Sequence, residues 1–199
     1  MSGRWPVTLQ DGPVGLRPIK RSDVAAWREV RSRNDDWLRP WEATAPPTEI
    51  AMLPTYSQMV ARLRTEARAG RCLPFVITLD GVFVGQLIVA GITYGSASMA
   101  HLGYWIDQRV AGRGITPTAV ALAIDHCFMG LGLHRVEIHI RPENSASLRV
   151  VEKLGLRYEG VRRAYLHIDG DWRDHMTYVV TREEVVPDGL LARWKSTLA

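Results

Sequence analysis

An α+β fold built on one continuous sheet is predicted by three features of the chain. The segment "HRVEIHIR" alternates strictly between apolar and polar residues, two Asp-Gly pairs each divide β-rich runs, and apolar residues recur at helical spacing in several segments set among the strands. With 199 residues, 46% hydrophobic and 23% charged, the chain suits one domain with a substantial core, taken here as residues 1–199.

The elements follow in order. Val14 to Ile19 reads as a strand, and Ser22 or Asp23 caps a helix from about Val24 to Arg31. "RPWEATAPPTE" carries three prolines and reads as a loop. Tyr56 to Ala69 is a second helix, stopped by Gly70. "CLPFVITLDGVFVGQLIVAGI" is a hairpin turning at Asp80-Gly81, and "AHLGYWID" is a further strand. Thr118 to Met129 sets Val120, Ile124, Cys127 and Leu131 on one helical face. In "HRVEIHIR", Val136, Ile138 and Ile140 face one way and Glu137, His139 and Arg141 the other, a half-buried strand in which Glu137 has a surface or salt-bridge role. A helix starts at Asn144 or Ser145 and ends at Gly155, and a last hairpin turns at Asp169-Gly170. The order is β-α-α-β-β-β-α-β-α-β-β, without repeat or linker, which makes a single α+β layer the economical arrangement.

Composition excludes several function classes. No run approaches the roughly 18 apolar residues of a membrane helix, and "MSGRWPVTLQDGP" has no signal-peptide core, so a cytoplasmic protein is expected. Cys72 and Cys127 lack metal-ligand spacing and read as reduced, buried thiols; the histidines form no metal pattern either. A net charge of +4 is spread along the chain and identifies no partner.

The chemistry is concentrated at "GYWIDQRVAGRGITPTAV". Thr116 reads as a helix cap with Pro117 in the first helical position. Just before them, Gly112 and Gly114 let the backbone approach a ligand, and the free N–H groups with the helix dipole favour a phosphate or pyrophosphate. Arg109 and Arg113 add positive charge. A dinucleotide fingerprint would need glycine where Pro117 stands, and a P-loop would need Gly-Lys-Ser/Thr.

"RVAGRG", Arg109 to Gly114, resembles the Arg/Gln-x-x-Gly-x-Gly/Ala pyrophosphate loop of the GNAT acetyltransferases, and it lies between the expected strand and helix. "GLRPIKRSD" and "HRVEIHIRPENSASLRVVEKLGLRYEG" are similar to the family's first strand and its later strand and helix. "WLRPWEA" and "YLHIDGDWRDHMTY" resemble the RimJ/RimL branch, the N-terminal acetyltransferases of ribosomal proteins, and within it the RimJ type. The resemblance implies a mixed, mostly antiparallel sheet, splayed at a slot for acetyl-CoA between "GYWID" and "HRVEIHI", with helices on both faces. It assigns the pantetheine arm to the backbone of Tyr104, Trp105 and Ile106, and the pyrophosphate to Arg109, Val110, Ala111, Gly112, Arg113, Gly114, Ile115 and Thr116. Asn144 matches an asparagine that contacts pantetheine, and Ser147 a serine near the CoA sulfur; both also read as helix-start residues.

Acetyl transfer to an amine needs a neutral amine, a donor to the thioester carbonyl and a proton for the leaving thiolate. In the GNAT pattern the amine attacks directly. Position 139 matches a glutamate base of the related RimI branch, but here it is His139, with a pKa expected to suit the task. The RimI tyrosine acid falls at Val151, which leaves Ser147 to protonate the thiolate. Glu42, in the "PWEA" loop, reads equally as a solvated carboxylate or as a residue that binds the substrate ammonium or takes its proton. Trp41, Tyr165, Trp172 and Asp174 are candidates to line a groove for a peptide N-terminus, while the tryptophans also suit sheet-edge packing.

The leading expectation is therefore an acetyl-CoA-dependent acetyltransferase acting on the N-terminal α-amine of a protein such as a ribosomal protein, with no membrane or metal, and with nucleic acid met only through the ribosome. A small amine, such as a polyamine, amino acid derivative or aminoglycoside, is the alternative on the same fold. A ribosome- or RNA-associated assembly factor with vestigial acetyl-CoA binding is the non-enzyme alternative.

Overall fold

The computed structural model describes residues 5–46 and 54–198. The end of the proline-rich loop expected after Trp41 lies outside the described residues. Strands β1 (Leu9–Asp11), β2 (Val14–Pro18), β3 (Leu73–Leu79), β4 (Val82–Thr93), β5 (Met99–Ile106), β6 (Arg135–Ile140), β7 (Arg157–Ile168) and β8 (Asp171–Thr181) form one sheet, ordered β1-β2-β3-β4-β5-β6-β8-β7. Every neighbouring pair is antiparallel except β5 and β6. The sheet is thus mixed and mostly antiparallel, as expected, and the expected Asp80-Gly81 and Asp169-Gly170 turns adopt left-handed backbone conformations.

Helices cover both faces. α1 (Val24–Arg33), the short α2 (Asp35–Leu38) and α3 (Tyr56–Arg68) belong to the N-terminal half. Val30 of α1 and Tyr56 and Val60 of α3 pack with Ile19, Val76 and Phe83 in one core. α4 (Ile115–Asp125), α5 (Ser145–Lys153) and α7 (Leu190–Ser196), the last reached through the short α6 (Arg182–Val185), lie over the larger core around Leu16, Phe75, Leu87 and Val136. Burial of such apolar side chains stabilises each by about 1.5–3 kcal/mol before conformational entropy is counted.

Several expectations are corrected. α1 runs two residues past Arg31, and Arg39–Trp41, read as loop, is a single 3-10 turn after α2. α4 begins at Ile115 with Gly114 as its cap, so Thr116 and Pro117 lie inside the first turn rather than at the cap and first position. Gly114 takes the cap because its φ of +77° ends the loop in a left-handed conformation. Instead of one apolar face, α4 buries Ala119, Val120, Ala121, Ala123 and Ile124 completely, because α7 covers its outer side. Past Asp125 the helix widens into a π turn, His126–Gly130. The sequence reading contains no β1, α2, α6 or α7; each is short, and Pro187 and Gly189 interrupt the C-terminal pattern. β6 is not half-buried: Glu137 on its polar side is only 4% exposed, because β6 lies inside the sheet with that side closed by arginines and aromatic rings.

One buried charge ties the two halves together. Asp107, directly after β5 and 2% exposed, accepts two hydrogen bonds from Arg33 at 3.1 and 2.6 Å and one from the Asn34 side chain at 2.9 Å. The Arg109 N–H also donates to it, and Asn34 accepts from the Gln108 N–H. Burial raises the Asp107 pKa, but the hydrogen bonds from Arg33 and Asn34 outweigh it and hold the carboxyl below its ordinary range. Its contribution is therefore complete above the unfolded pKa near 4 and is lost as pH falls through the lower folded value. Asp107→Asn is expected to destabilise the fold by about 2–3 kcal/mol at pH 7 in urea unfolding, and by progressively less below about pH 4.

Candidate active site

The site begins where two strands part. β5 and β6 are paired only at Met99↔Arg135, Ala100↔Val136 and His101↔Glu137. Beyond these, Leu102–Ile106 stays on β4 and Ile138–Ile140 stays on β8, so the facing edges carry backbone N–H and C=O groups with no strand partner. Such groups need a partner. Tyr104 closes the helix side of the slot: its hydroxyl donates to the Ser147 carbonyl at 3.4 Å, and burial drives the phenol pKa well above its ordinary value. At the start of α5, the Asn144 side chain accepts from the Ser147 N–H at 3.0 Å. Asn144 is thus a helix cap, and it holds Ser147 beside the slot with Tyr104. The Ser147 hydroxyl has no protein partner among the described residues.

The loop from β5 to α4 follows at the end of the slot. Asp107 caps the 3-10 turn Gln108–Val110, Ala111 is extended, and Gly112 and Gly114 take φ of +80° and +77°. The N–H groups of Val110 and Ala111 are used within the turn. Among the described residues those of Gly112, Arg113 and Gly114 have no protein acceptor, and Ile115 and Thr116 open a helix whose first N–H groups have none within it. A side chain on Gly112 would meet no protein atom within 4 Å, so the space beside it is open to a ligand. Arg109 and Arg113 form no ion pair among the described residues.

A third set of contacts builds the mouth. Glu42 pairs with Arg31 at 2.5 Å, and the Arg31 guanidinium lies 5.4 Å from the Trp105 ring centre and 5.8 Å from that of Trp27. Next to it, the Arg141 guanidinium lies 5.5 Å from the Trp41 ring and donates to the Pro40 carbonyl at 2.7 Å. The Trp41–Glu42 loop therefore reaches from β5 to the end of β6, across the parted strands. Its continuation is held by the Thr44 N–H donating to the His167 carbonyl and by an Ala43↔Ile168 bridge. Trp172, exposed, packs edge-on against His167. Tyr165 instead packs against His139 and His175. Asp174 is spent on Arg163 at 2.5 Å and on the Ala164 N–H at 2.8 Å, fixing an irregularity in β7, and is no free carboxylate.

The family model described as "Acetyltransferase (GNAT) domain" matches residues 14–157. The chain belongs to this family. Over 99% of its length it is similar to RimJ of Mycobacterium smegmatis, solved with CoA-disulfide, at 40% identity, 97% coverage of that chain and a TM-score of 0.90. It is 27% identical to the [ribosomal protein uS5]-alanine N-acetyltransferase of Escherichia coli strain K12, over 83% of this chain and 87% of that one. It is 37% identical to the probable N-acetyltransferase YjcK of Bacillus subtilis strain 168, over 51% of this chain; that match spans 56% of YjcK.

As a GNAT enzyme this is an acetyl-CoA-dependent N-acetyltransferase, and its own residues fit the co-substrate. The unpaired edges of β5 and β6 match the amides of a pantetheine arm, and the free N–H groups from Gly112 onward, with Arg109 and Arg113, match a pyrophosphate. Among the described residues no group of three His, Cys, Asp or Glu is placed to hold a metal, and no helix is long and apolar enough to cross a membrane. Cys127 is fully buried, and burial pushes its thiol to about 12.

His139 does not have the pKa expected of it. Burial, then the neighbouring Arg162 charge, lowers it to about 4, so the ring is neutral at pH 7 and a weak base. Both ring nitrogens also face protein groups: Nδ1 lies 3.2 Å from the Thr177 hydroxyl and Nε2 3.3 Å from the Glu137 carboxylate. Sequence reasoning missed Arg31, Arg141, the Tyr104 phenol and the Arg33–Asn34–Asp107 cluster. Only the proximity of Asp107 to "RVAGRG" marked any of them in the sequence.

Gly112→Val forces a β-branched residue into a left-handed conformation and is expected to raise KM for acetyl-CoA at least about tenfold in steady-state kinetics; an unchanged KM removes the loop from the site. For His139→Ala, the shape of kcat/KM against pH between 6 and 9 is expected to match the unmodified enzyme, since a group titrating near 4 contributes no inflection there. An inflection lost only in the variant would restore the base role.

Proposed function

We propose that this enzyme acetylates the N-terminal α-amine of a protein, a ribosomal protein in the first instance. The observation that carries the reading is the charge of the mouth. Among the described residues, four carboxylates on the elements around it are matched by arginines: Glu42 by Arg31 at 2.5 Å, Glu137 by Arg162 at 2.6 Å, Glu143 by Arg141 at 3.3 Å and Asp174 by Arg163 at 2.5 Å. A polyamine or aminoglycoside carries several positive charges and needs surplus negative charge to bind. A peptide N-terminus carries one, and its backbone suits a mouth built around Trp41 and Trp105. The similarity to RimJ and to the uS5-alanine enzyme supports the same reading.

Acetyl-CoA supplies the activated acetyl thioester; the chain supplies position and protons. Backbone N–H groups on the unpaired edge of Tyr104–Ile106 are the donors to the thioester carbonyl. An α-ammonium loses its proton near pH 8, so the acceptor needs only modest help. His139 is buried and weakly basic and the Glu42 carboxylate is engaged by Arg31, so this proton leaves to water at the mouth, beside Glu42. The Ser147 hydroxyl, beside the slot at the start of α5, holds the proton for the departing sulfur.

Purified protein given acetyl-CoA is expected to release CoA with short peptides bearing free Ala, Ser, Thr or Met N-termini, and not with N-terminally blocked peptides, spermidine or aminoglycosides. Turnover with the small amines alone would overturn the peptide reading. Ser147→Ala is expected to lower kcat by roughly 10²-fold with KM for acetyl-CoA within a few-fold; unchanged kcat reduces Ser147 to a helix-start residue.

A further inference from the structure

The C-terminal helix lies outside the family match, which ends at residue 157, yet it is wired to the cofactor loop. The N-terminus of α7 is held by Asp125, at the far end of α4, whose carboxylate accepts from the Leu190 N–H at 2.6 Å and the Leu191 N–H at 3.0 Å. One turn later Trp194, only 4% exposed, donates its indole N–H to the Thr118 hydroxyl at 3.1 Å. That hydroxyl donates in turn to the Gly114 carbonyl at 2.9 Å, which also receives the Thr118 N–H at 3.1 Å. The same indole backs the glycine: its Cζ2 lies 3.7 Å from where a Cβ on Gly114 would stand.

The consequence follows from peptide planarity. In a trans peptide the N–H points opposite to the C=O. Holding the Gly114 carbonyl into the helix therefore aims the Ile115 N–H out of it, towards the ligand side of the Gly112–Thr116 turn. Gly114 is otherwise, with Gly112, a permissive link in that turn, since its left-handed conformation costs glycine nothing and neighbouring conformations cost little more. We propose that Trp194 is a positioning residue for acetyl-CoA: through Thr118 it fixes the Gly114–Ile115 peptide, and so the pyrophosphate-binding geometry of the loop, without touching the co-substrate. The relay uses each donor once. The indole has only a donor, and the threonine hydroxyl accepts from it and passes its own proton to the carbonyl.

The test separates the pyrophosphate from the rest of the co-substrate. Trp194→Phe keeps a ring in the core and removes the donor; Thr118→Val keeps the shape and removes the hydroxyl. Each is assayed with acetyl-CoA and with S-acetyl-pantetheine, which has the same thioester and arm but no pyrophosphate, using whichever amine the enzyme turns over, or CoA binding by calorimetry. Each variant is expected to raise KM for acetyl-CoA, or Kd for CoA, roughly three- to tenfold, the worth of one hydrogen bond, with kcat within about twofold. KM for S-acetyl-pantetheine is expected to stay where it was. The double variant is expected to be no worse than the stronger single one, because both break the same relay. An unchanged KM for acetyl-CoA, or an equal rise for both donors, overturns the proposal, the second outcome reducing α7 to a structural cover. Either variant alone decides the matter if the other fails to fold, and calorimetry with CoA decides it even where no acceptor is found.

Discussion

The separation of β5 from β6 is the constraint on which the rest of the molecule depends. After three paired positions two adjacent strands diverge, leaving a row of backbone donors and acceptors inside a sheet that otherwise satisfies them. An open edge in the middle of a sheet is costly unless each strand is held on its other side and a ligand takes up the exposed groups. Both conditions are met. β4 runs along β5 and β8 along the whole of β6, and the open groups lie on the edges that face each other. The buried, nearly all-apolar α4 packs on β1, β2 and β4 beside it, and the loop at the end of the slot runs into the N-terminus of that helix.

Buried charge does the fastening. Asp107, held by Arg33 and Asn34, fixes the end of β5 to α1 just where the loop leaves the sheet, and its bond from the Arg109 N–H sets the loop's first turn. Glu137, held by Arg135 and Arg162, does the same for β6 near the other edge. Breaking such pairs costs far more than forming them contributes, because the partner left behind is a buried charge without compensation. These pairs tie the end of β5 to α1 and β6 to β7.

On the proposed reading, the two substrates meet different chemistry. The acetyl-CoA side is backbone: N–H groups, strand edges and a helix end, whose geometry is set by main-chain conformation. The acceptor side is side chain, with Trp41 and Glu42 held across the mouth by Arg31 of α1 and Arg141 just after β6, and fastened to the β7–β8 hairpin through Thr44. A loop anchored at several points by polar contacts can adjust to an acceptor more readily than the slot behind it can.

Legibility in the sequence divides along the same line. The hairpins at Asp80-Gly81 and Asp169-Gly170, the alternation of β6, the glycine loop and the start of α5 were readable, because turn geometry, strand period and helix capping are local, and local chemistry is written in neighbouring residues. So was the co-substrate, since the family is marked by a local backbone motif. The state of His139 was not, because burial and the Arg162 charge reach it from strands far along the chain and turn an apparent base into a neutral core group. Asp174 looked like a substrate carboxylate until the fold brought Arg163 and the Ala164 N–H onto it. The bracing of Gly114 by Trp194 spans eighty residues of chain and has no spacing to betray it. The sequence by itself determined the main strands and helices, the family and the glycine loop proposed to take the pyrophosphate. Tertiary structure alone decided which charges are spent on one another and which remain for a substrate, because Coulomb and desolvation energies depend on distance in space, which the order of residues does not carry.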